Sequence, residues 1–257
     1  MGAMRLKTIT LTLACLFLGA AATQAYIRIQ ISGKTLHWGS NSISYHIHNA
    51  GSDDISDGSH IPAIEHAFAS WSDVNGSQIT LNRGSNTSNA STSTSQHTIV
   101  FDEDNSSGYF PSGSGIVAIT PISYRLSDGQ ITDADILFNG SQFSFSTDQT
   151  PGTFDVQDVL THEVGHFIGL DHSPSTSSTM WPYVAPNQWI HRSLSQDDQA
   201  GAVAIAVGSN QTKVTGRIFK PNGSNPLSGA IVSASLSDGR FVASAITNSN
   251  GNFRVWI

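Results

Sequence analysis

Residues 161–172 have the sequence THEVGHFIGLDH, which contains two histidines and a glutamate at the spacing of a metal-binding helix. Residues four apart on an α-helix lie on one face, so His162 and His166 can bind one ion from adjacent turns. Glu163 projects beside them and can act as general base on a water molecule at that ion. The segment therefore predicts a helix that presents two zinc ligands and a catalytic carboxylate.

Gly169 and His172 extend this pattern beyond the helix. Glycine readily adopts the positive φ that ends a helix sharply, and such a turn would bring His172 back as a third ligand. Three protein ligands leave the fourth position of tetrahedral zinc to water, which is typical of a catalytic site rather than a structural one. The alternative is a buried helix whose histidines are satisfied by core hydrogen bonds, but a helix core rarely admits such residues.

The pattern H-E-x-x-H-x-x-G-x-x-H in residues 162–172 resembles the signature of the metzincin metalloproteases at every defined position. That family also has a methionine turn downstream, and residues 178–183, STMWPY, are similar to it. The resemblance implies that Met180 lies beneath the zinc as an apolar floor. It also implies an endopeptidase with one catalytic zinc, which acts on protein or peptide substrates with Glu163 as general base.

Residues 30–207 resemble, more specifically, the catalytic domain of the matrixins, in which a strand, a helix, several strands and the zinc helix follow one another. The resemblance implies an α+β fold: a twisted, mostly parallel sheet with one antiparallel edge strand, packed on helices that include the zinc helix. Similar residues fall at the corresponding places, namely Trp38, Ala67, Phe68, Trp71, Asp133, Ala134, Asp135, Ile136, Leu194, Asp197 and Asp198.

By the same analogy, residues 115–120 form the exposed edge strand beside the cleft. A peptide substrate would add to this strand through main-chain hydrogen bonds, while its side chains enter pockets. The implied substrate-binding residues are Val117 and Ala118 on the strand and Tyr183 in the segment 181–192. This segment is expected to form the wall of the pocket just beyond the scissile bond.

Hydrophobic periodicity predicts the remaining elements. Residues 42–48 alternate as a half-buried strand does, and residues 61–75 repeat apolar side chains at helical spacing. The zinc helix is predicted to begin near Asp155, and a closing helix is predicted from Ser195 to about Val207. Further strands are predicted at 78–82, 98–101, 115–120 and 131–138, and a mobile polar loop at 83–96.

Two pairs of polar residues have two possible roles each. His46 and His48 could form a second metal site, although solvent-facing strand positions are favoured. Asp197 and Asp198 are either helix-capping acids or, as the matrixin resemblance implies, a support for the methionine turn.

Acidic residues could also bind calcium at two places, residues 102–105 and the pair Asp133 and Asp135. No EF-hand spacing is present, and a solvated acidic loop is favoured for the first group. The sequence therefore leaves calcium open as a second cofactor and assigns no residue to it.

Residues 1–25 have the organisation of a secretion signal. A short basic start is followed by an apolar stretch from Leu11 to Ala22 and by small residues before Tyr26. The stretch is too short for a membrane anchor, so we expect export to an extracellular or periplasmic space. Cys15, the only cysteine, lies within it, so no disulfide is expected in the mature chain.

The charge balance is acidic and excludes some partners. The formal net charge is −7 with neutral histidine, and it becomes −9 without the leader, with 10 basic and 19 acidic residues. An acidic protein without a basic run is not expected to bind nucleic acid or an anionic membrane. The oligomeric state is left open.

The character of the chain changes near its C-terminal end. Residues 209–257 resemble the start of a small β-sandwich of the carboxypeptidase-regulatory kind, but they are fewer than a sandwich usually needs. We interpret them as part of a longer product or as an unpaired β-hairpin unit. The predicted organisation is a leader at 1–25, a catalytic domain at 26–208 and this partial β domain.

Two functions compete on these residues. The first is a secreted zinc endopeptidase. The alternative is a secreted adhesion or carbohydrate-binding protein, in which the β segment binds and the protease-like domain is a metal-stabilised, non-catalytic scaffold. Glu163 favours the first, because binding alone does not need it.

Overall fold

A computed structural model describes residues 10–13, 26–92, 95–206, 213–221, 223–235 and 241–256. The helices are α1 (His60–Ser72), α2 (Val156–Phe167) and α3 (Gln196–Ala204), with a short 3-10 turn at Ile190–Arg192. The strands are β1 (Thr10–Leu13), β2 (Ile27–Arg28), β3 (Gln30–Ile31), β4 (Lys34–Thr35), β5 (His37–Trp38), β6 (Ser42–Ile47), β7 (Thr80–Arg83), β8 (Thr98–Phe101), β9 (Ala118–Ile119), β10 (Ile122–Tyr124), β11 (Gln130–Ala134), β12 (Ile136–Phe138), β13 (Phe145–Ser146), β14 (Phe154–Asp155), β15 (Leu170–Asp171), β16 (Lys213–Arg217), β17 (Ile231–Ser235), β18 (Phe241–Ile246) and β19 (Asn252–Trp256).

The central sheet has the strand order β7, β6, β8, β12 and β9. Strand β6 pairs in parallel with β7 and β8, and β12 pairs in parallel with β8, whereas β9 at the edge is antiparallel to β12. This confirms the predicted fold class. In β6 the predicted alternation holds, since Ile43, Tyr45 and Ile47 are buried while Ser42 and Ser44 are exposed.

Aromatic side chains join the sheet to the two long helices. Tyr45 of β6 stacks on Phe68 of α1 with ring centroids 3.6 Å apart, and Phe68 meets Phe167 of α2 edge to face at 5.6 Å. Trp71 is fully buried and donates its indole N–H to the main-chain oxygen of Thr161 at 2.8 Å. These contacts fix the zinc helix against α1 and the sheet.

The predicted strand 131–138 is divided in the structure. Strand β11 joins a three-stranded sheet with β10 and β5, whereas β12 joins the central sheet. Asp135 lies at the break, where its main-chain N–H donates to Pro121 and its side chain accepts the main-chain N–H of Thr98. All residues from Asp133 to Phe138 are buried, so no change in burial marks the break, and the sequence pattern predicts one strand where the backbone changes sheet.

Several predicted elements are longer than the observed ones. Within 115–120, only Ala118 and Ile119 pair with β12. Helix α1 ends at Ser72 rather than near Asn75, and α3 ends at Ala204 rather than near Val207. Apolar periodicity continues past the last helical hydrogen bond, which is why the sequence overestimates these ends.

The predicted polar loop 83–96 is partly ordered by β6. The main-chain N–H of Thr87 donates to Ile47 at 3.0 Å, and its oxygen accepts from Asn49 at 2.8 Å. Residues 93 and 94 lie outside the described residues, and the mobility of the loop stays a prediction.

The C-terminal segment forms antiparallel pairs, β16 with β19 and β17 with β18. Strand β1, within the predicted leader, pairs antiparallel with β17, and the other leader residues lie outside the described part of the chain. The partial β-sandwich and the leader therefore stay predictions. Within the described residues, the helices are too short or too polar to cross a membrane.

Candidate zinc site and substrate cleft

Two aspartates define the start of α2, which carries the first two histidines. Asp155 is the N-cap, and its carboxylate accepts the main-chain N–H of Asp158 at 2.8 Å. Both carboxylates lie at the positive end of the helix dipole, which stabilises them there. Arg192 pairs with Asp155 and ties the helix start to the segment before α3. The predicted start near Asp155 is confirmed.

The three predicted ligands converge, since His162, His166 and His172 each have a ring nitrogen within 4.8 Å of the others. The Nδ1 atom of His162 lies 2.7 Å from the main-chain oxygen of Thr179, and that of His166 lies 2.8 Å from the oxygen of Leu170. A carbonyl oxygen only accepts, so each Nδ1 carries the proton and each Nε2 has a free lone pair.

The same geometry tests whether these residues fit a metal ion. The Nε2 atoms of His162 and His166 are 3.1 Å apart with their lone pairs turned toward the same centre. Lone pairs at this distance repel unless a cation lies between them, and imidazole nitrogen is a preferred ligand of zinc. Burial lowers the pKa of all three histidines, which favours the neutral form that binds metal. The residues therefore fit zinc.

Gly169 makes the turn that leads to the third histidine. Its φ is +107°, a left-handed value that favours glycine, and a Cβ there would approach the main-chain oxygen of Leu36 to 3.3 Å. Strand β15 follows at once and pairs antiparallel with β2. The position of His172 is therefore fixed by a glycine turn and a strand pair.

Met180 is 1% exposed and packs against α2. A Cβ on Gly165, in the middle of α2, would clash with the Met180 sulfur, so glycine makes this contact possible. Gly165 is not among the residues predicted from the sequence. Glycine inside a helix costs about 1 kcal/mol relative to alanine, and that cost is the signal that could have indicated a close contact.

Asp198 both caps helix α3 and supports the methionine turn, the two roles that the sequence left open. With Ser195 it forms the capping box of α3. Its carboxylate also accepts the Ser178 hydroxyl and the main-chain N–H groups of Thr179, at 2.8 Å, and Met180, at 3.3 Å. One buried side chain therefore starts the closing helix and holds the methionine turn.

Asp197 supports a different segment. Its carboxylate accepts the hydroxyl of Ser173, the residue after the third histidine, at 3.1 Å. Burial, and next the charge of Asp198, raises the pKa of Asp197 to about 7.

Glu163 is 6% exposed and lies between the histidines and the edge strand. Its Oε2 accepts the hydroxyl of Thr120 at 2.6 Å. Burial raises the pKa of Glu163 to about 7, while the Thr120 hydrogen bond acts in the opposite direction. Such a carboxyl can take and release a proton near neutral pH. Thr120 could not be predicted from the sequence, because threonine at a strand end is common and carries no signal.

A comparison with protein families agrees with this geometry. The family model described as Matrixin matches residues 37–205, about two thirds of the chain. This protein is a matrixin. Matrixins are zinc-dependent metalloproteases, so the resemblance stated from the motif is confirmed at the level of the family.

Beside its histidines the matrixin domain has a cavity of about 290 Å³. Val117 and Ala118 line it from the edge strand, and Tyr183 lines it from the segment after the methionine turn. Glu163 and His172 border the same cavity. The structure thus brings the three residues that the resemblance implied for substrate together with the candidate catalytic groups.

The edge strand of the matrixin domain is held from one side. Ala118 and Ile119 pair with β12, and Asn139 donates its main-chain N–H to Val117 at 2.9 Å and its side-chain amide to Ile116 at 2.7 Å. Residues 114–118 line the cavity from the strand's other side. This arrangement suits the addition of an extended peptide.

The other candidate metal groups take part in protein hydrogen bonds. His46 Nδ1 lies 2.8 Å from the main-chain oxygen of Ser85. Neither His46 nor His48 belongs to a group of three or more metal-binding side chains among the described residues, where His162, His166 and His172 form such a group. The solvent-facing interpretation of the two strand histidines is therefore still favoured.

The acidic residues considered for calcium also have protein partners. Asp102 accepts the main-chain N–H and the hydroxyl of Ser106, and Asp133 pairs with His97 at 2.8 Å. Asp135 accepts a main-chain N–H at 2.6 Å. Calcium at these positions stays a prediction.

Proposed function

We propose that this matrixin is a secreted zinc endopeptidase in which Glu163 is the general base. The observation that carries the proposal is the convergence of three histidine nitrogens beside a buried carboxylate in the wall of a cleft. His162, His166 and His172 are the proposed ligands. Gly169 and Met180 are proposed to support their positions.

The edge strand supports an endopeptidase rather than an enzyme for small molecules. A substrate in extended conformation would pair with the strand at Val117 and Ala118, with alternate side chains directed into the cavity and away from it. Tyr183 would contact the side chain that enters the cavity. Binding through the main chain accepts many sequences, while the cavity selects among them.

The chemistry needs one proton carrier. When bound, zinc supplies Lewis acidity for water and for the scissile carbonyl. Glu163 takes a proton from the attacking water as the new C–O bond forms, and gives it to the amine nitrogen as the C–N bond breaks. The Thr120 hydroxyl holds Oε2 of Glu163 in one orientation during this cycle. The burial of Glu163 limits exchange of its proton with bulk water.

The proposed organisation is a leader at 1–25, a catalytic domain at 26–208 and a partial β domain at 209–257. The composition of the leader supports export to an extracellular or periplasmic space. No described contact favours the adhesion alternative. A non-catalytic scaffold would have no use for a carboxylate buried beside the ligands.

The test is the substitution Glu163→Gln, which keeps the shape of the side chain and removes the base. We expect the variant to bind one equivalent of zinc and to hydrolyse casein more slowly by a factor on the order of 10² to 10⁴. Glu65→Gln, at an exposed position of α1, is the matched control and should leave the rate unchanged.

Two results would contradict the proposal. Hydrolysis by Glu163→Gln at the rate of the unchanged protein would remove Glu163 from the mechanism. Zinc binding by the unchanged protein without hydroxamate-sensitive cleavage of any peptide in a library would favour the scaffold.

A further inference from the structure

Polar side chains form part of the wall of the substrate cavity. His191, from the 3-10 turn before α3, and Asp158, from the first turn of α2, line it together with His162 and Glu163. His191 is 4% exposed and Asp158 is fully buried. His191 lies in the predicted pocket wall at 181–192, but the sequence predicts no role for its side chain.

Asp158 fixes the orientation of the His191 ring. The Nδ1 atom of His191 lies 3.1 Å from Oδ2 of Asp158, and the main-chain N–H of His191 donates to Oδ1. A carboxylate accepts, so Nδ1 carries the proton that is shared with Asp158. The Nε2 atom therefore lies on the ring edge away from the carboxylate.

Nε2 of His191 is a buried polar atom without a hydrogen-bond partner within the described part of the chain. Leaving such an atom unpaired is costly, and native proteins rarely keep one without a reason. Because its ring is part of the wall of a substrate cavity, the missing partner is most simply a group of the substrate.

The chemistry of the site restricts that group. An amide or a hydroxyl both donates and accepts, so it can pair with Nε2 whether the ring is neutral or protonated. A carboxylate would meet the negative charges of Glu163 and Asp158, which line the same cavity. An ammonium group can pair only with the neutral ring, and an aliphatic side chain leaves Nε2 unpaired.

We propose that His191, held by Asp158, selects substrates whose side chain in this cavity ends in an amide or a hydroxyl. This inference rests on the proposed function, because it assigns the cavity to the residue just beyond the scissile bond. His191 is then a specificity-determining residue that contacts substrate away from the reacting atoms.

The test uses two pairs of peptides that differ only at that residue. Glutamine is compared with methionine, which has similar length, and tyrosine is compared with phenylalanine, which lacks only the hydroxyl. For the zinc-loaded protein we expect kcat/KM to be about 5- to 100-fold higher for the glutamine and tyrosine peptides, as for other buried hydrogen bonds that a substrate completes or leaves open.

In the variant His191→Leu, the ratio of kcat/KM within each peptide pair should be close to one, because leucine has no polar atom that needs a hydrogen-bond partner. His66→Leu makes the same substitution at an exposed position of α1 and should keep both ratios. A His191→Leu protein that folds and keeps the preference would overturn the proposal.

If His191→Leu does not fold, Asp158→Asn gives an independent test. Its amide oxygen can still accept the main-chain N–H of His191, and its NH₂ group donates to Nδ1, so the ring proton moves to Nε2. Nε2 then only donates. We expect kcat/KM for a glutamate peptide to rise relative to the glutamine peptide, and an unchanged ratio would overturn the proposal.

The peptide series also separates this inference from the function beneath it. Equal kcat/KM for all four peptides overturns the role of His191 and leaves the endopeptidase intact. Failure to cleave any of them, or casein, overturns the proposed function and this inference with it.

Discussion

The two walls of the cleft are built in opposite ways. On the zinc side, residues 178–180 of the methionine turn are at most 1% exposed, and Asp198 accepts hydrogen bonds from all three. On the outer side, Tyr183 is 71% exposed and Ile190 is 63% exposed. Tyr183 is only three positions after Met180, yet the chain passes from the core to the surface between them.

The difference indicates that the two walls have different functions. Groups that bind metal and move protons must stay within a few tenths of an ångström of their positions, which buried hydrogen bonds provide. A wall that selects side chains can vary, because exposed loops tolerate substitution without loss of the fold. Changes on the zinc side should therefore affect stability and activity together. Changes at exposed positions of the outer side, unlike changes at the buried His191, should affect selectivity alone.

The largest effect is expected for Asp198→Ala on the zinc side. The substitution leaves the main-chain N–H groups of Thr179 and Met180 buried without an acceptor and also removes the α3 capping box. We expect the free energy of unfolding to fall by about 3 to 5 kcal/mol in denaturant titrations, with weaker zinc binding.

Asp128→Ala removes an exposed acid paired with Arg125 and is the matched control for that experiment. We expect its free energy of unfolding to stay close to that of the unchanged protein. If Asp198→Ala were as stable as this control, the methionine turn would be held by other contacts and the contrast between the walls would be wrong.

The second prediction concerns the cost, in free energy of unfolding, of burying an acid that is not fully hydrogen-bonded. Asp135 is 2% exposed, its Oδ1 accepts from Thr98, and its Oδ2 has no partner among the described residues. Burial raises its pKa to about 7 from the ordinary 3.8, with a smaller contribution from the charge of Asp133. The folded protein therefore binds the proton more tightly than the unfolded chain does.

Stability should consequently fall as the pH rises from about 4 to above 7, because the carboxyl must ionise in a buried place. Asp135→Asn cannot ionise and can still accept the Thr98 N–H. At pH 8 we expect the free energy of unfolding of the variant, measured in denaturant titrations, to be about 2 kcal/mol higher than that of the unchanged protein. At pH 4 most of this difference should disappear. An equal difference at both pH values would contradict the prediction.

The third prediction concerns Thr120, whose hydroxyl holds the carboxylate of Glu163. Thr120→Val keeps the volume and removes the hydrogen bond. We expect kcat to fall about tenfold with little change in KM, because the peptide still pairs with the edge strand. Thr120→Ser restores a hydroxyl and should recover most of kcat. A parallel loss in both variants would show a packing role instead.

The smallest effect on the fold is expected on the outer wall. Tyr183→Ala should change the free energy of unfolding by no more than about 0.5 kcal/mol, because the side chain is mostly exposed. We expect KM for peptides to rise a few-fold while kcat stays close to that of the unchanged protein. A large loss of stability would mean that this wall is as tightly built as the zinc side.

The candidate metal ligands could be predicted from sequence because their geometry is local. His162, Glu163 and His166 lie on one helical face whatever surrounds them, and Gly169 needs only its own φ. The three helices and the strands of the central sheet can be predicted for a related reason, since side-chain alternation and helical spacing record which face is buried. The short strands β2–β5, β10 and β13–β15 give no such signal.

The supporting residues could not be predicted, because each acts through a contact distant in sequence. Thr120 meets Glu163 across 43 residues, and His191 meets Asp158 across 33. Asp135 divides a strand through a bond to Thr98, 37 residues away. Periodicity does not indicate which strand end or turn will face a given side chain. The partners in these contacts can therefore be identified only in the folded structure.

The hydrogen bond from His162 to the oxygen of Thr179, 17 residues downstream, has a consequence for transplanting this site. A graft of residues 161–172 onto another helical scaffold would supply three imidazoles and a carboxylate. It would not supply the carbonyl that selects the tautomer of the first imidazole and sets its rotation. A designer who wants this chemistry elsewhere must copy two separate stretches of backbone and their relative placement.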